Sequence, residues 1–191
     1  MKITIAPNAC ADMLAAILLC PIEISGLGRI VRQADDEFFV SEILVFEQEC
    51  SAASTEFDSE AKGRWDNEMV RAGRAHEIND HHFWWHSHVC GHAYFSVTDD
   101  ANIERFDGTG APWWVSVVGN KFGELSARAD FYDPRQTVRS CEIALSEPLD
   151  RGQFRELIQI RAPRVRHAMA EKVIMNMRLL SPREEKDSRW R

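Results

Sequence analysis

His82-Phe83-Trp84-Trp85-His86-Ser87-His88, then seven residues, then Ser96-Val97-Thr98-Asp99 is the stretch on which the reading of this chain turns. The aromatic-rich run through His88 reads as a strand. On a strand, residues i and i+2 share a face, so His86 and His88 send both rings to one side; on a helix they would diverge. Ser-x-x-Asp is a helix-capping pattern, and the segment from Ser96 to about Phe106 reads as a helix whose start fixes Asp99 and whose dipole favours its ionised form. Two imidazoles and a carboxylate are a ligand set that holds a catalytic zinc and leaves a fourth position free. With seven His among 191 residues, H-x-H-x7-S-x-x-D arises by chance in roughly one such chain in a thousand.

Outward from this stretch the pattern is that of an α+β domain. Lys2 to Ala6 alternates as a short strand, Pro7-Asn8 interrupts it, and an apolar helix runs from about Ala9 to Leu19, stopped by Pro21. Two β-rich runs, Ile22 to Gln33 and Phe38 to Glu49, flank the turn Asp35-Asp36-Glu37 and read as a hairpin. Ser54 and Thr55 are candidate N-caps for a helix carrying Phe57, Ala61, Trp65, Met69 and Ala72 at helical spacing, ended by Gly73; such a stripe is core before it is a cofactor box. Trp113 to Val118 and Leu125 to Tyr132 read as a second hairpin, and Val138 to Leu145 as a further strand. The remainder is helical from about Gln153, broken at Pro163, resumed through Met175, and polar and frayed from Ser181. The sum is a mixed, mostly antiparallel sheet of about six strands flanked by helices, with a core over residues 1–149 and a C-terminal helical extension over 150–191 packed on it.

Composition narrows the class. A hydrophobic fraction of 45% with 28% charged residues is that of a globular protein, and no run approaches the roughly 18 apolar residues a bilayer span needs. Met13 to Cys20 is the nearest; it follows Asp12, lacks a basic lead and reads as a buried helix, not a signal peptide. The five cysteines are scattered without a C-x-x-C pair, which argues against a disulfide framework or thiolate cage and for a reducing cytoplasm. Cys90 lies inside the motif, but nothing orients a base toward it. His76, His81, His82 and His92 do not read as a second metal site, because His81 and His82 alternate away from each other on an extended chain. Residues 151–191 are locally basic within a chain of net charge −7. Without aromatic interleaving or a groove-reading motif, that is a solvated helix rather than a nucleic-acid surface.

The spacing of His86, His88, Ser96 and Asp99 resembles the JAMM motif of the MPN+ metalloprotease family, whose signature adds an upstream glutamate beside small residues; Glu23-Ile24-Ser25-Gly26-Leu27 supplies one. Trp84-Trp85-His86-Ser87-His88-Val89, with Asn120-Lys121-x-Gly123-Glu124 and Ala127-Arg128-x-Asp130 downstream, looks most like prokaryotic or phage members. The resemblance covers about Met1 to Leu149 and implies an αβα sandwich. It further implies one Zn²⁺ per chain held by His86, His88 and Asp99, with Glu23 as general base and Ser96 beside the scissile carbonyl. Val89 departs from the proline many members carry after the second histidine, and no long insertion separates Asp99 from Trp113. The activity implied is hydrolysis of a peptide or isopeptide bond after the tail of a ubiquitin-like protein, substrate or conjugate, alongside E1/E2-like conjugation partners. A sulfur-carrier protein, a phage assembly protein or a small amide is the alternative substrate, and a non-catalytic MPN-like scaffold the alternative class.

Overall fold

A computed structural model describes residues 1–176 apart from Ser59 and Cys90; the expected frayed tail, and Cys90 as a nucleophile, lie outside the described residues. The fold is α+β. Its main sheet has eight strands rather than about six: β1 (Lys2–Ile5), β2 (Ser25–Ala34), β3 (Glu37–Leu44), β6 (Phe83–His88), β7 (Trp113–Asn120), β8 (Leu125–Tyr132), β9 (Arg135–Arg139) and β10 (Glu142–Leu145). The spatial order is β10-β1-β3-β2-β6-β7-β8-β9. Pairings β2–β3, β2–β6, β7–β8 and β8–β9 are antiparallel; β1–β10, β1–β3 and β6–β7 are parallel.

The extra strands come from runs that read as continuous. Val138 to Leu145 divides at Ser140, whose backbone is left-handed (φ 60), into β9 on one edge and β10 on the other. Flat strands about 4.8 Å apart would separate those edges by roughly 34 Å, yet three Cα steps from Arg139 to Glu142 reach at most about 11 Å. The sheet therefore curls until its edges meet: Cys141 N donates to Ala127 O of β8, and Glu142 N to Met1 O beside β1. The run expected to extend from Phe38 to Glu49 likewise ends at Leu44. Gln48–Cys50 forms β4 of a separate three-stranded sheet with β5 (Thr55–Phe57) and β11 (Val173–Met175).

Three helix boundaries also differ from expectation. Helix α1 (Pro7–Leu19) starts at the proline rather than after it, because a fixed φ and a missing N–H cost nothing in a first turn. Thr55 to Phe57 is strand, not cap and first turn, since its backbone pairs with Gln48–Cys50; α2 (Ala61–Arg71) begins later. Helix α4 (Arg151–Lys172) runs through Pro163 unbroken. It is held on both sides of the proline, by the Arg161 pair to Asp12 on α1 and by buried Val165 and Met169. Val173–Met175 then leaves the helix as β11 beside β4, in keeping with its β-branched residues.

Helices cover both faces of the sheet. On one, α1 lies between β3, β6 and β7 and the overlying α4, and Ile3, Met13, Ile17, Phe38, Phe83 and Trp85 fill the main core. On the other, a second cluster of Leu27, Phe46, Trp84 and Trp114 meets Ala61 of α2 and Ile103 of α3 (Val97–Arg105). Strand β6 thus splits its side chains: Phe83 and Trp85 go to the first core, Trp84 and His86 to the second face. Among the described residues no helix is long and apolar enough to cross a membrane.

Gly26 sets how closely β2 approaches β6. A Cβ there would lie 2.1 Å from Leu44 O and 2.5 Å from the Trp85 ring. Gly26→Ala is expected to force the strands apart and cost about 1–3 kcal/mol, read as a lowered denaturation midpoint; an unchanged midpoint would contradict this packing.

Candidate metal centre

His86 and His88 are adjacent same-face residues at the end of β6, and Asp99 is the third residue of α3. The sequence placed these elements correctly, and α3 packs on the face of β6 that carries both histidines. His86 Nε2 lies 3.1 Å from Asp99 Oδ1, and His88 Nε2 3.5 Å from Asp99 Oδ2. One ligand atom from each of the three residues can be chosen so that all lie within 4.8 Å of one another. Around a tetrahedral ion with bonds of about 2.1 Å, neighbouring ligand atoms stand roughly 3.4 Å apart.

Asp99 is held by the helix start. Ser96 caps α3: its N–H and hydroxyl both donate to Asp99 Oδ2 at 2.7 Å, and its Oγ accepts from Asp99 N. The hydroxyl assigned to the substrate carbonyl by resemblance therefore points at Asp99. Deeper anchors fix the helix itself, with buried Arg128 of β8 gripping Asp100 and Asp130, and Tyr132 Oη donating to Ile103 O. Ser96→Ala is expected to cost about 1 kcal/mol of stability through the lost cap and to weaken metal affinity 10–100-fold through a looser Asp99. Calorimetric zinc titration reads the second effect, and unchanged affinity would refute it.

Glu23 lies two residues before β2 rather than opening it. Ser25 pairs with His86; Ile24 N donates to Ser87 Oγ, and Ser87 N to Ile24 O. Continuing that register sets Glu23 opposite His88, on the face the histidines share. Ser87 is the clamp that carries the pairing beyond the strand end.

The electrostatics suit a cation. Burial pushes the Glu23 carboxyl up to about 7; His88 opposes the shift and the Asp99 charge adds to it. Burial also works against an ionised Asp99, but the imidazoles of His86 and His88 hold it well below the usual carboxylate range. Burial pushes His86 down, toward the neutral ring that offers a lone pair, whereas the Asp99 carboxylate raises His88. His86 is 4% exposed; among the described residues its Nδ1 has no hydrogen-bond partner, and its Nε2, though 3.1 Å from Asp99 Oδ1, makes no well-aligned hydrogen bond. A buried unsatisfied imidazole costs free energy, and an ion at this position would satisfy one of its nitrogens.

Residues that sequence reasoning passed over complete the surroundings. Trp84 stacks on His86 with centroids 4.3 Å apart and 17° between planes. Buried Gln48 accepts from Ser25 N and donates to Ser25 O, tying the small sheet to the strand beside the site; a polar side chain flanked by charged neighbours gave no signal of that burial. Asn120 Nδ2 donates to Gly91 O and to Glu124, which also accepts from Ala93 N, so the loop between His88 and Ser96 is tied to the β7–β8 turn. His81 stays apart from the triad, its Nδ1 donating to Glu77 O.

Comparison with protein families and with curated proteins finds no match. Among solved structures, protein DSY2949 from Desulfitobacterium hafniense is similar at 18% identity with a TM-score of 0.45, covering 78% of this chain and 95% of that one.

Proposed function

We propose that this protein is a zinc-dependent metallopeptidase of the MPN+ kind, hydrolysing the peptide or isopeptide bond that follows the C-terminal tail of a ubiquitin-like protein. The observation that carries the proposal is the His86–His88–Asp99 cluster, with the β2–β6 register, continued two residues past Ser25–His86, bringing Glu23 to the level of His88. Helices on both faces of a mixed sheet agree with an αβα arrangement. The residues fit a zinc ion: a neutral His86 with unsatisfied nitrogens, an ionised Asp99, and spacings near those of a tetrahedral shell.

When bound, the ion supplies Lewis acidity, acidifying a water and polarising the scissile carbonyl. The chain does the rest. Glu23, a carboxyl whose burial lifts it to about 7, takes a proton from the attacking water and returns it to the leaving amine. Asp99 stays anionic, Ser96 orients it, and Trp84 fixes the plane of His86. An oxyanion contact from Ser96 requires its hydroxyl to leave Asp99. Cys10, Cys20, Cys50 and Cys141 are buried free thiols, in keeping with the reducing cytoplasm we assign it.

The test incubates zinc-loaded protein with ubiquitin-like fusions, with a sulfur-carrier fusion and small amides in parallel. Cleavage after the tail that stops on chelation is expected. Cleavage at full rate in excess chelator, or none of any substrate, would overturn the proposal.

A further inference from the structure

The face of the sheet that carries the triad also holds a cavity of about 280 Å³ between the sheet, α2 and the turn after α3. Leu27, Phe46, Phe57, Phe106, Ala111 and Trp114 supply its apolar walls; Asp58, Lys62 and Asn79 stand at its solvent-facing rim. Pockets for drug-sized ligands run from about 300 to 1,000 Å³, so this volume suits one bulky side chain rather than a nucleotide or large cofactor. Its position relates it to the triad. Leu27 faces Trp84 across the β2–β6 pairing, one repeat from the Ser25–His86 pair. An unbroken series of rings joins the two places: Trp84 stacks on His86 and meets Phe106 edge-on at 5.8 Å, and Phe106 stacks on Trp114 at 4.0 Å. Along β6 the cavity's His82 level lies five residues, about 16 Å, from the level between His86 and His88. A residue about five positions from the reacting bond of an extended peptide reaches that level.

The geometry points to this cavity as a specificity pocket that takes a bulky apolar side chain, aromatic or branched aliphatic, about five residues from the hydrolysed bond. The assignment rests on the peptidase reading for its role, but not for its ability to bind. Two measurements separate them. Binding of N-acetyl-phenylalanine amide is followed through the indole N–H signal of Trp114, which donates to Thr109 Oγ1 at the cavity wall, with N-acetyl-glycine amide as control. The phenylalanine probe is expected to shift that signal saturably and the glycine probe to leave it unmoved, and Ala111→Leu, which fills the cavity, is expected to abolish the shift. If Ala111→Leu does not fold by circular dichroism, Ile78→Phe fills the cavity from another of its lining residues. In the second measurement, fusions with phenylalanine rather than glycine at the fifth position from the hydrolysed bond should show at least tenfold higher kcat/KM, a preference lost in the filled variant. Probe binding without hydrolysis of any fusion would remove the peptidase and leave the pocket standing. An unmoved indole signal, or a preference unaffected by filling, would overturn the pocket.

Discussion

Glu23→Gln is expected to lower kcat by roughly 10²–10⁴-fold, the usual worth of a positioned acid–base group, while zinc content stays at the wild-type level. The two readouts come apart because the β2–β6 register, continued past the Ser25–His86 pair, brings Glu23 level with His88, while the three-residue ligand group does not include it. Glutamine keeps the shape and loses the proton-accepting oxygen. The pH profile supplies an independent check. Burial lifts this carboxyl to about 7, and a bound cation pulls it back down. Activity should therefore fall as pH drops through a limb at or below 7, where the base becomes protonated, and that limb should be missing from the residual activity of the variant. Loss of zinc together with activity would show that Glu23 is a ligand or a structural prop instead.

His86→Leu separates folding from function in the opposite way. Among the described residues both ring nitrogens of His86 are buried without a well-aligned hydrogen bond, and an unsatisfied buried polar group costs about 1–3 kcal/mol. A leucine of similar size removes that cost, and Asp99 keeps its hydrogen bonds from Ser96. The buried Asp99 carboxylate loses an imidazole that helps hold it ionised, which offsets that relief, so metal-free His86→Leu should stay within about 2 kcal/mol of the metal-free wild type, whereas zinc should raise the denaturation midpoint of the wild type alone. Hydrolysis should fall to background. A metal-free variant less stable by more than about 2 kcal/mol would mean that the imidazole earns its place by packing on Trp84, not by waiting for an ion.

The placement of the site was legible because its signals are local. Two histidines at i and i+2 belong on one side of a strand, and Ser96-x-x-Asp99 announces a helix start; both held, and the cap turned out to aim the Asp99 carboxylate. What joins Glu23 to them is not local. It depends on Ser87 extending the β2–β6 pairing past the strand end, and on Gly26 admitting Trp85 at close range, neither of which has a sequence signature beyond a small residue. The strand count was missed for the same reason. Ser140 looks like any polar residue within a β-rich run, yet its left-handed backbone sends the chain from one edge of the sheet to the other. Gln48–Cys50, Thr55–Phe57 and Val173–Met175 are too short to show periodicity and become strands only by pairing with one another. Pro163 failed to break α4 because tertiary contacts on either side hold the helix together.

The central claim is that His86, His88 and Asp99 converge on one catalytic ion, and zinc K-edge absorption on the stoichiometrically loaded protein tests it most directly. One zinc per chain, with two imidazoles and oxygen ligands and no sulfur in the first shell, is the predicted result. Failure to retain zinc under replete conditions, or a shell containing thiolate, would contradict it.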